Sequence, residues 1–439
     1  MSGATSDVVR ISRAVAREAP ERTLATARLC MLDFFGLAIA GSREPVARIL
    51  EQAARLEGAS PVATAIGHGR HFSLQQATFL NGVAGHALDY DDVALAMHVH
   101  PTTVILPPLL ALAEARGFSG DAVLRAFVAG YEAAGMIGAW LGAAPYDRGF
   151  HMTGTVGAIG AAAGVAFLLD LDEQASARAL GLAATQAAGL KAQFGTMAKP
   201  LHAGRAAETG LLAALWADAG LTGRENVLEA RQGFAATQSD IPERPISWQG
   251  YQLDANAFKL HAACFGVHGT IEAITSLRAQ GLRLEDVRGV HVTVGQRADR
   301  MCNIATPRNG TEAKFSLRFA AALALHGRDT ADPASFADGL VDDPALEAAR
   351  ALVQVHLADA DWPEETTRVT IETGDGRLLS AWSDMSAGRS LDTNAASIRR
   401  KFDVLLAGVG FRGDGGRLAE GLLGFAQVQE LTQLIQLAG

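Results

Sequence analysis

The chain has 439 residues, of which 49% are hydrophobic and 19% charged, a composition that allows a large buried core and excludes a disordered protein. Its formal net charge of −9 excludes a general binder of nucleic acids or membrane surfaces, because such proteins present a basic face. The three cysteines are too few and too scattered for a disulfide framework or a zinc site. The first 22 residues lack the apolar stretch of a secretory signal, and we expect a cytoplasmic protein.

Residues 5–220 predict almost only helices, because apolar residues recur at three-to-four spacing between short Gly, Pro and Asp segments. The small-apolar stretch 155–169 is too short for a membrane span. Its neighbourhood, 154–164, spaces glycines three or four apart, which predicts a helix face open to close approach by another helix.

After residue 248 the pattern changes. Helices are predicted at 268–280 and 312–325, a strand at 289–295, and two strands joined by an Asp-Gly turn at 367–382. Residues 394–438 return to helix. The predicted fold class is therefore mainly α with an inserted α+β domain. The predicted domains are a discontinuous helical domain, 1–254 plus 392–439, and an α+β domain, 255–391.

The segment 86–103 is the first candidate for chemistry. Three aspartates crowd a predicted helix end, and two histidines follow before a proline. Acids this close raise each other's pKa unless cations offset them, and His86 shares a face with Asp89 if the helix continues. A solvated helix end and a zinc or iron site are alternative interpretations. The ionisable residues after His86 are Asp89, Asp91, Asp92, His98 and His100.

A second candidate precedes the glycine-rich helix. Thr153 is placed to cap this helix, which puts His151 just outside its N-terminus. The positive end of a helix lowers the pKa of a histidine and keeps it able to accept a proton near pH 7. The alternative is a structural histidine.

Lysine is rare in this chain, with five among 38 basic residues, so a lysine is a candidate for a position that requires a compact ammonium. Lys199 precedes a proline, which disfavours helix at Lys199 itself. With His202 and Arg205 it forms a cluster of cations that suits a carboxylate. A basic surface loop is the alternative.

The segment 258–273 contains Lys259, His261, Cys264 and His268 near the predicted domain boundary. Cys264 has two interpretations, a thiol nucleophile with a histidine partner and a packing residue, which is the usual role of a buried cysteine. Together the candidate segments supply bases and cations but no nucleotide-binding loop and no complete metal motif. That inventory suits proton abstraction next to a carboxylate, where lysine and histidine donors stabilise an enolate-like anion without a cofactor.

In this order, the segments resemble the MmgE/PrpD family, which includes 2-methylcitrate dehydratase, cis-aconitate decarboxylase and iminodisuccinate epimerase. The resemblance implies an all-helical domain built from both chain ends, a smaller α/β lid domain, a homodimer and no cofactor or metal. The matching segments are LDFFGLAIAG (32–41), NGVAGHALDYDD…HVHPTTVILP (81–107), GFHMTGTVGAIGAAA (149–163), KPLHAGRAAETG (199–210), FKLHAAC (258–264), KFSLRFAAALAL (314–325) and RRKF (399–402).

The resemblance also implies site residues. The family's DxDD motif falls on Asp89, Asp91 and Asp92, its His-Pro on His100, the histidine before the Gly-rich helix on His151, and its two lysines on Lys199 and Lys259.

The lid differs from the family pattern. Phe319 stands where relatives carry a tyrosine, His261 follows the lid lysine where an aromatic residue and proline are usual, and Cys264 replaces a histidine of the decarboxylase. These differences argue against decarboxylation and predict a changed specificity.

We therefore predict a cofactor-free lyase of the dehydratase type acting on a small di- or tricarboxylate, with no nucleic-acid or membrane partner. An epimerase, a decarboxylase, a metallohydrolase using Asp89, Asp91, His98 and His100, and a non-catalytic carboxylate binder are the alternatives. The predicted catalytic residues are Asp89, His100, His151, Lys199 and His261, and the predicted substrate-binding residues are Asp91, Asp92, Thr153, His202, Lys259, Cys264 and Phe319.

Overall fold

The computed structural model describes residues 3–240, 244–387, 389–424 and 428–438. Contacts divide the chain into two compact units, one formed by Met1–Phe258 with Leu391–Gly439 and the other by Lys259–Ser390. The predicted domain layout stays a prediction, because a compact unit need not be a domain that folds independently. The structure shows a mainly helical chain with small sheets.

The helices account for most of the regular structure. Helices α1–α11 and α17–α19 belong to the first unit and α12–α16 to the second. Their bounds are α1 Ala4–Arg17, α2 Glu21–Gly41, α3 Pro45–Glu57, α4 Leu74–His86, α5 Thr102–Arg116, α6 Gly120–Leu141, α7 Ala144–Asp147, α8 Met152–Leu168, α9 Glu173–Ala184, α10 Ala198–Asp218, α11 Phe234–Gln238, α12 His268–Ala279, α13 Gln296–Cys302, α14 Gly310–Ala313, α15 Leu317–Leu325, α16 Pro344–Ala351, α17 Leu391–Gly408, α18 Gly415–Leu423 and α19 Val428–Leu437.

Helix α8 forms the centre of the first unit and packs against α5, α6, α9 and α10. The predicted close approach along its glycine face is confirmed. A Cβ atom on Gly160 would lie 2.9 Å from the carbonyl oxygen of Gly130 on α6, and one on Gly130 would lie 2.6 Å from the carbonyl oxygen of Gly160. Larger side chains at either position would push the two helices apart.

Helices α2 and α6 are long and apolar enough to cross a membrane by length and composition alone. However, 89% and 83% of their most apolar windows are buried inside the protein. Such burial is that of core helices, which surround themselves with other apolar side chains.

A short hairpin in the first unit is an exception to the helices predicted for residues 5–220. Strands β1 (Ala63–Ala65) and β2 (Arg70–Phe72) pair antiparallel. Asn81 on α4 holds the hairpin, because its side chain accepts from the backbone N–H of Ile66 at 2.8 Å and donates to the carbonyl of Thr64 at 3.0 Å. Three-residue strands are too short to show an alternating pattern in the sequence.

The second unit contains a four-stranded sheet of β3 (Val287–Val294), β4 (Val353–Leu357), β5 (Thr366–Thr373) and β6 (Leu378–Asp384), in the order β4-β3-β5-β6. Strand β4 runs parallel to β3, and the other pairs are antiparallel. The predicted strands at 289–295 and 367–382 are confirmed, whereas β4 was missed.

The predicted helix 312–325 is interrupted. It forms the end of α14 and all of α15, and residues 314–316 separate the two helices. Ser316 accounts for the break, because its hydroxyl accepts from the backbone N–H of Phe319 at 3.2 Å and so caps α15.

Candidate functional site

The predicted aspartates lie in the loop between α4 and α5. Helix α4 ends at His86, and the chain turns immediately, with Asp89 at φ 51°. His98 in the same loop has the same φ, and both values lie in the left-handed region that non-glycine residues rarely adopt. A loop of this shape persists only when its surroundings over-determine it.

Asp91 holds two histidines at once. Its carboxylate oxygens lie 2.9 and 2.8 Å from Nδ1 of His86, and one of them lies 3.3 Å from Nδ1 of His100. The helix therefore does not continue to pair His86 with Asp89. Burial alone would raise the pKa of Asp91, but the two imidazoles hold it well below its ordinary value. Asp91 is thus an ionised carboxylate that orients both rings.

Asp92 points into the protein interior. It is 1% exposed, and its Oδ2 accepts from the hydroxyl of Thr102 at 2.6 Å. Burial raises the pKa of Asp92 to about 7; the Thr102 hydrogen bond opposes this rise, and the charge of Asp91 adds to it. The pKa values of Asp91 and Asp92 are therefore shifted in opposite directions. Asp91 faces imidazoles, whereas Asp92 faces an apolar interior and the negative charge of Asp91.

His151 is itself the N-cap residue of α8, so the predicted capping by Thr153 is wrong. Thr153 lies inside the first turn, and its hydroxyl accepts from the backbone N–H of His100 at 3.1 Å. The contact joins the aspartate loop to the start of α8. The sequence could not distinguish the two residues as caps, because the cap is decided by where the backbone turns.

His151 pairs with a second histidine, His202, with their Nδ1 atoms 3.0 Å apart. Its ring also stacks on that of His86, with centroids 5.8 Å apart. Burial is the main cause that lowers the pKa of His151 well below its ordinary value, and the charges of His86 and Lys199 add to it. His151 is 2% exposed and therefore stays neutral near pH 7, able to accept a proton.

Lys199 forms an ion pair with Asp89, with Nζ 2.6 Å from Oδ1. Contrary to the prediction, Lys199 lies inside the first turn of α10, which starts at Ala198. The following proline is tolerated there because first-turn N–H groups lack intrahelical acceptors. Arg205 does not join the cluster, since its side chain is 65% exposed and paired with Glu208.

Lys401 contacts the aspartate loop from the protein interior. It was not among the site residues predicted from the sequence. It is 2% exposed, its Nζ lies 2.7 Å from Oδ1 of Asp33 on α2, and it donates to the carbonyl of Tyr90 at 2.6 Å. Tyr90 separates Asp89 from Asp91 in the chain. The rarity of lysine and the RRKF segment were signals that could have identified Lys401.

The remaining predicted residues belong to the second unit and are described there alone. His261 bonds to Thr330 through Nδ1 at 2.7 Å and to Glu272 through Nε2 at 3.3 Å. The hydrogen bond with His261 lowers the pKa of Glu272 to about 2. Lys259, Cys264 and Phe319 are all buried, and the ring of Phe319 packs on a neighbouring phenylalanine.

The predicted alternative of a metal site has partial geometric support. Among the described residues, ligand atoms of His86, Asp89, Asp91 and His100 lie within 4.8 Å of one another. His98 is not one of this set; its ring lies 5.2 Å from that of Tyr146. Asp89 already faces the ammonium of Lys199 and Asp91 faces two imidazoles, so both carboxylates already have partners within the cluster.

The fold and these clusters define a mainly helical protein with a buried carboxylate, histidine and lysine site. The model of the MmgE/PrpD N-terminal domain matches residues 10–245, and that of the C-terminal domain matches residues 261–419. The chain belongs to the MmgE/PrpD family.

Three similar proteins are named as cis-aconitate decarboxylases or as a protein like them. The chain is 26% identical to cis-aconitate decarboxylase of Aspergillus terreus over 469 residues, covering 99% of this chain and 96% of the relative. It is 32% identical to human cis-aconitate decarboxylase over 270 residues, covering 59% and 56%. It is 29% identical to the cis-aconitate decarboxylase-like protein oryM of Aspergillus oryzae over 426 residues, covering 89% and 87%.

The raised pKa of Asp92 generates a prediction about stability. A carboxyl whose pKa is about 7 in the folded protein, against 3.8 ordinarily, binds its proton more tightly when folded. Its contribution to stability is complete below pH 3.8 and is lost as the pH rises through 7. Asp92→Asn removes this loss and keeps a Thr102 acceptor. Between pH 5 and 7 the free energy of unfolding of the variant should therefore gain on wild type by roughly 1.4 kcal/mol per pH unit.

Urea unfolding at fixed pH values measures this difference. Asp121→Asn, at an exposed position on α6, is the matched control and should parallel wild type at every pH. A constant difference between Asp92→Asn and wild type across the range would contradict a raised pKa at Asp92.

The buried ammonium of Lys401 generates a second prediction. Lys401→Met leaves the Asp33 carboxylate in the interior without its cation, which should lower the free energy of unfolding by about 3–5 kcal/mol. Arg399→Met is the control on the same helix, because Arg399 is 39% exposed and paired with Asp403 at 3.1 Å; it should change stability by less than about 1 kcal/mol. Equal effects of the two substitutions would show that Lys401 does not anchor the loop.

Proposed function

We propose that this protein is a lyase that acts on a small di- or tricarboxylate through proton transfer between histidines and a substrate carbon. The observation that carries the proposal is the neutral, buried His151, which contacts His202 and stacks beside the Asp91-held His86. Two histidine environments of opposite character within one cluster suit a base and an acid that act on the same substrate.

His151 is the proposed proton acceptor. Its surroundings oppose a positive charge, so the ring is unprotonated when the substrate arrives. His100 is the proposed proton donor, because the adjacent Asp91 carboxylate, 3.3 Å away, stabilises a proton-bearing ring. The role of orienting a histidine, predicted for Asp89, passes to Asp91 in this proposal, and Asp89 holds Lys199 instead.

Carboxylate binding is assigned to the helix N-termini that meet at the cluster. His151 caps α8, and Lys199 and His202 lie in or near the first turn of α10, with His151 and His202 in contact. First-turn N–H groups have no intrahelical acceptors and favour anions. Thr153 and Lys199 therefore lie where the first-turn N–H groups favour binding of a substrate carboxylate.

Decarboxylation is the outcome that the named relatives favour, although dehydration was predicted from the sequence. In decarboxylation the carbon–carboxylate bond breaks, CO₂ leaves, and the electron pair spreads into the conjugated carboxylate until His100 supplies a proton to carbon. This step needs no proton acceptor, so in decarboxylation His151 positions the substrate. In dehydration His151 takes a proton from carbon and His100 protonates the departing hydroxyl. Phe319 stands where relatives carry a tyrosine, so this chain lacks the hydroxyl donor of that tyrosine. Dehydration therefore remains a second candidate.

A cytoplasmic location, a homodimeric state and independence from cofactors and metals remain part of the proposal. Size-exclusion chromatography with light scattering tests the dimer. Elemental analysis and treatment with a chelator test the metal alternative, because a metallohydrolase would hold stoichiometric metal and lose its activity.

Incubation of the protein in D₂O with cis-aconitate, citrate, 2-methylcitrate and succinate derivatives, followed by NMR, tests the reaction. We expect CO₂ release with deuterium in the product from cis-aconitate; alkene formation from a hydroxy acid would establish the dehydratase instead. Deuterium incorporation without loss of water or CO₂ would favour the epimerase. No exchange or turnover with any of these compounds would contradict the proposed function.

Substitutions at the cluster test the assignment of residues. His151→Gln and Lys199→Met should each lower kcat/KM by about 10²–10⁴-fold, because each removes a proton-transfer or charge-stabilising group. Arg205→Met is the matched control, since Arg205 lies on the same helix as Lys199 but is exposed, and it should retain activity. Folded His151→Gln and Lys199→Met proteins with full activity would refute the assignment.

A further inference from the structure

A second cluster of cations lies in the first unit, apart from the residues of the candidate site. Helix α3 and the turn between β1 and β2 enclose a concave pocket of about 260 Å³. Its ionisable lining residues are Arg43, Arg48, Glu51, Arg55 and His68. Four groups that can be positive thus surround one carboxylate, in a chain whose net charge is −9.

The arginines of this pocket are arranged on one side of α3. Arg48 and Arg55 are seven residues apart on the helix and therefore share a face, and Arg43 stands just before the helix begins. Arg55 is committed to Glu51, with Nε and a terminal nitrogen 2.9 and 2.5 Å from Oε1. Within the described part of the chain, neither Arg43 nor Arg48 has a carboxylate partner.

His68 supplies an independent observation. Its side chain is 3% exposed, and its Nε2 is buried with no hydrogen-bond partner among the described residues. Nδ1 lies 3.6 Å from Oε2 of Glu51, which is too long for a strong hydrogen bond. Buried polar atoms are nearly always satisfied, so the unpartnered nitrogen of a ring that lines this pocket calls for a partner.

The charges in the pocket do not cancel. Burial alone would raise the pKa of Glu51, but the hydrogen bond from Arg55 and nearby cations hold it below its ordinary value. Glu51 therefore contributes one negative charge, which Arg55 offsets. Arg43 and Arg48 remain as a pair of uncommitted guanidinium groups, and guanidinium suits the planar, multidentate recognition of oxyanions.

We propose that this pocket binds a small multivalent oxyanion, with phosphate or carboxylate chemistry, between Arg43, Arg48 and His68. The anion would bridge the two guanidinium groups and supply the charge that protonated His68 needs. It would thereby tie α3 to the hairpin of β1 and β2. The site shares no residue with the Asp91–His151 cluster, so the proposal does not rest on the proposed function.

Isothermal titration of the full chain with inorganic phosphate, at constant ionic strength set with chloride, tests this proposal. Wild type should bind phosphate, and Arg48→Gln should weaken that binding by about tenfold or more, as expected when a charge-assisted hydrogen bond is lost. Arg10→Gln is the matched control, because Arg10 is 61% exposed and paired with Asp7 outside the pocket; its affinity should equal that of wild type.

Two further variants separate this pocket from the candidate active site. Lys199→Met should leave phosphate binding at the arginine pocket unchanged, whereas loss of binding in Lys199→Met with retention in Arg48→Gln would place the anion elsewhere and overturn the proposal. Burial lowers the pKa of His68 despite the charge of Glu51, and a bound anion raises it.

Sulfate, an oxyanion that does not titrate near pH 6.5, should therefore bind with uptake of a proton, measured as a dependence of the binding enthalpy on the ionisation enthalpy of the buffer. His68→Gln should abolish this uptake. No phosphate binding by wild type, or equal affinity in Arg48→Gln and wild type, would overturn the proposal.

Discussion

The loop between α4 and α5 depends on a buried ion pair beneath it. The Lys401 ammonium bonds to Asp33 on α2 and to the backbone carbonyl of Tyr90, in the middle of the aspartate motif. An isolated charge would be strongly destabilising in such an interior. Each of the two side chains therefore requires the other, and the ion pair fixes the distance between them. Because Asp89 holds a left-handed conformation, this fixed point helps to keep an unfavourable backbone shape in place.

Because of this backbone shape, the neighbouring carboxylates face different partners. Asp89 faces Lys199, Asp91 faces two histidines and Asp92 faces the hydroxyl of Thr102. The three side chains are close in sequence, yet their pKa values differ in direction where a shift is resolved, because each side chain meets a different partner. Proximity in the chain therefore says little about ionisation; the facing groups decide it.

The histidines are divided in the same way. His86 and His100 contact the Asp91 carboxylate, whereas His151 is buried among rings and cations and contacts His202. A single cluster thus contains two rings that contact a carboxylate and a ring whose burial opposes a positive charge. This contrast suits a lyase that takes a proton from its substrate at one ring and supplies a proton to it from another.

Particular residues show how far sequence reasoning reached. The family was predicted from long ungapped segments. The mainly helical fold and the glycine face of α8 were predicted from spacing, because helix geometry translates a three-to-four repeat directly into a surface. The hairpin at 63–72 and strand β4 were missed because strands this short do not show a clear alternation of apolar and polar residues. The capping role given to Thr153 was wrong by two residues, since a cap depends on where the backbone turns.

The sequence by itself determined which ionisable residues this protein has, in what order they occur and which helices carry them. Only the tertiary structure decided their partners: that Asp91 rather than Asp89 holds His86, that Lys199 pairs with Asp89 across 110 positions, and that Lys401 reaches the aspartate loop from the far end of the chain. The physical reason is that local pattern reports burial and periodicity, whereas ion pairs and hydrogen bonds form between residues brought together only by packing.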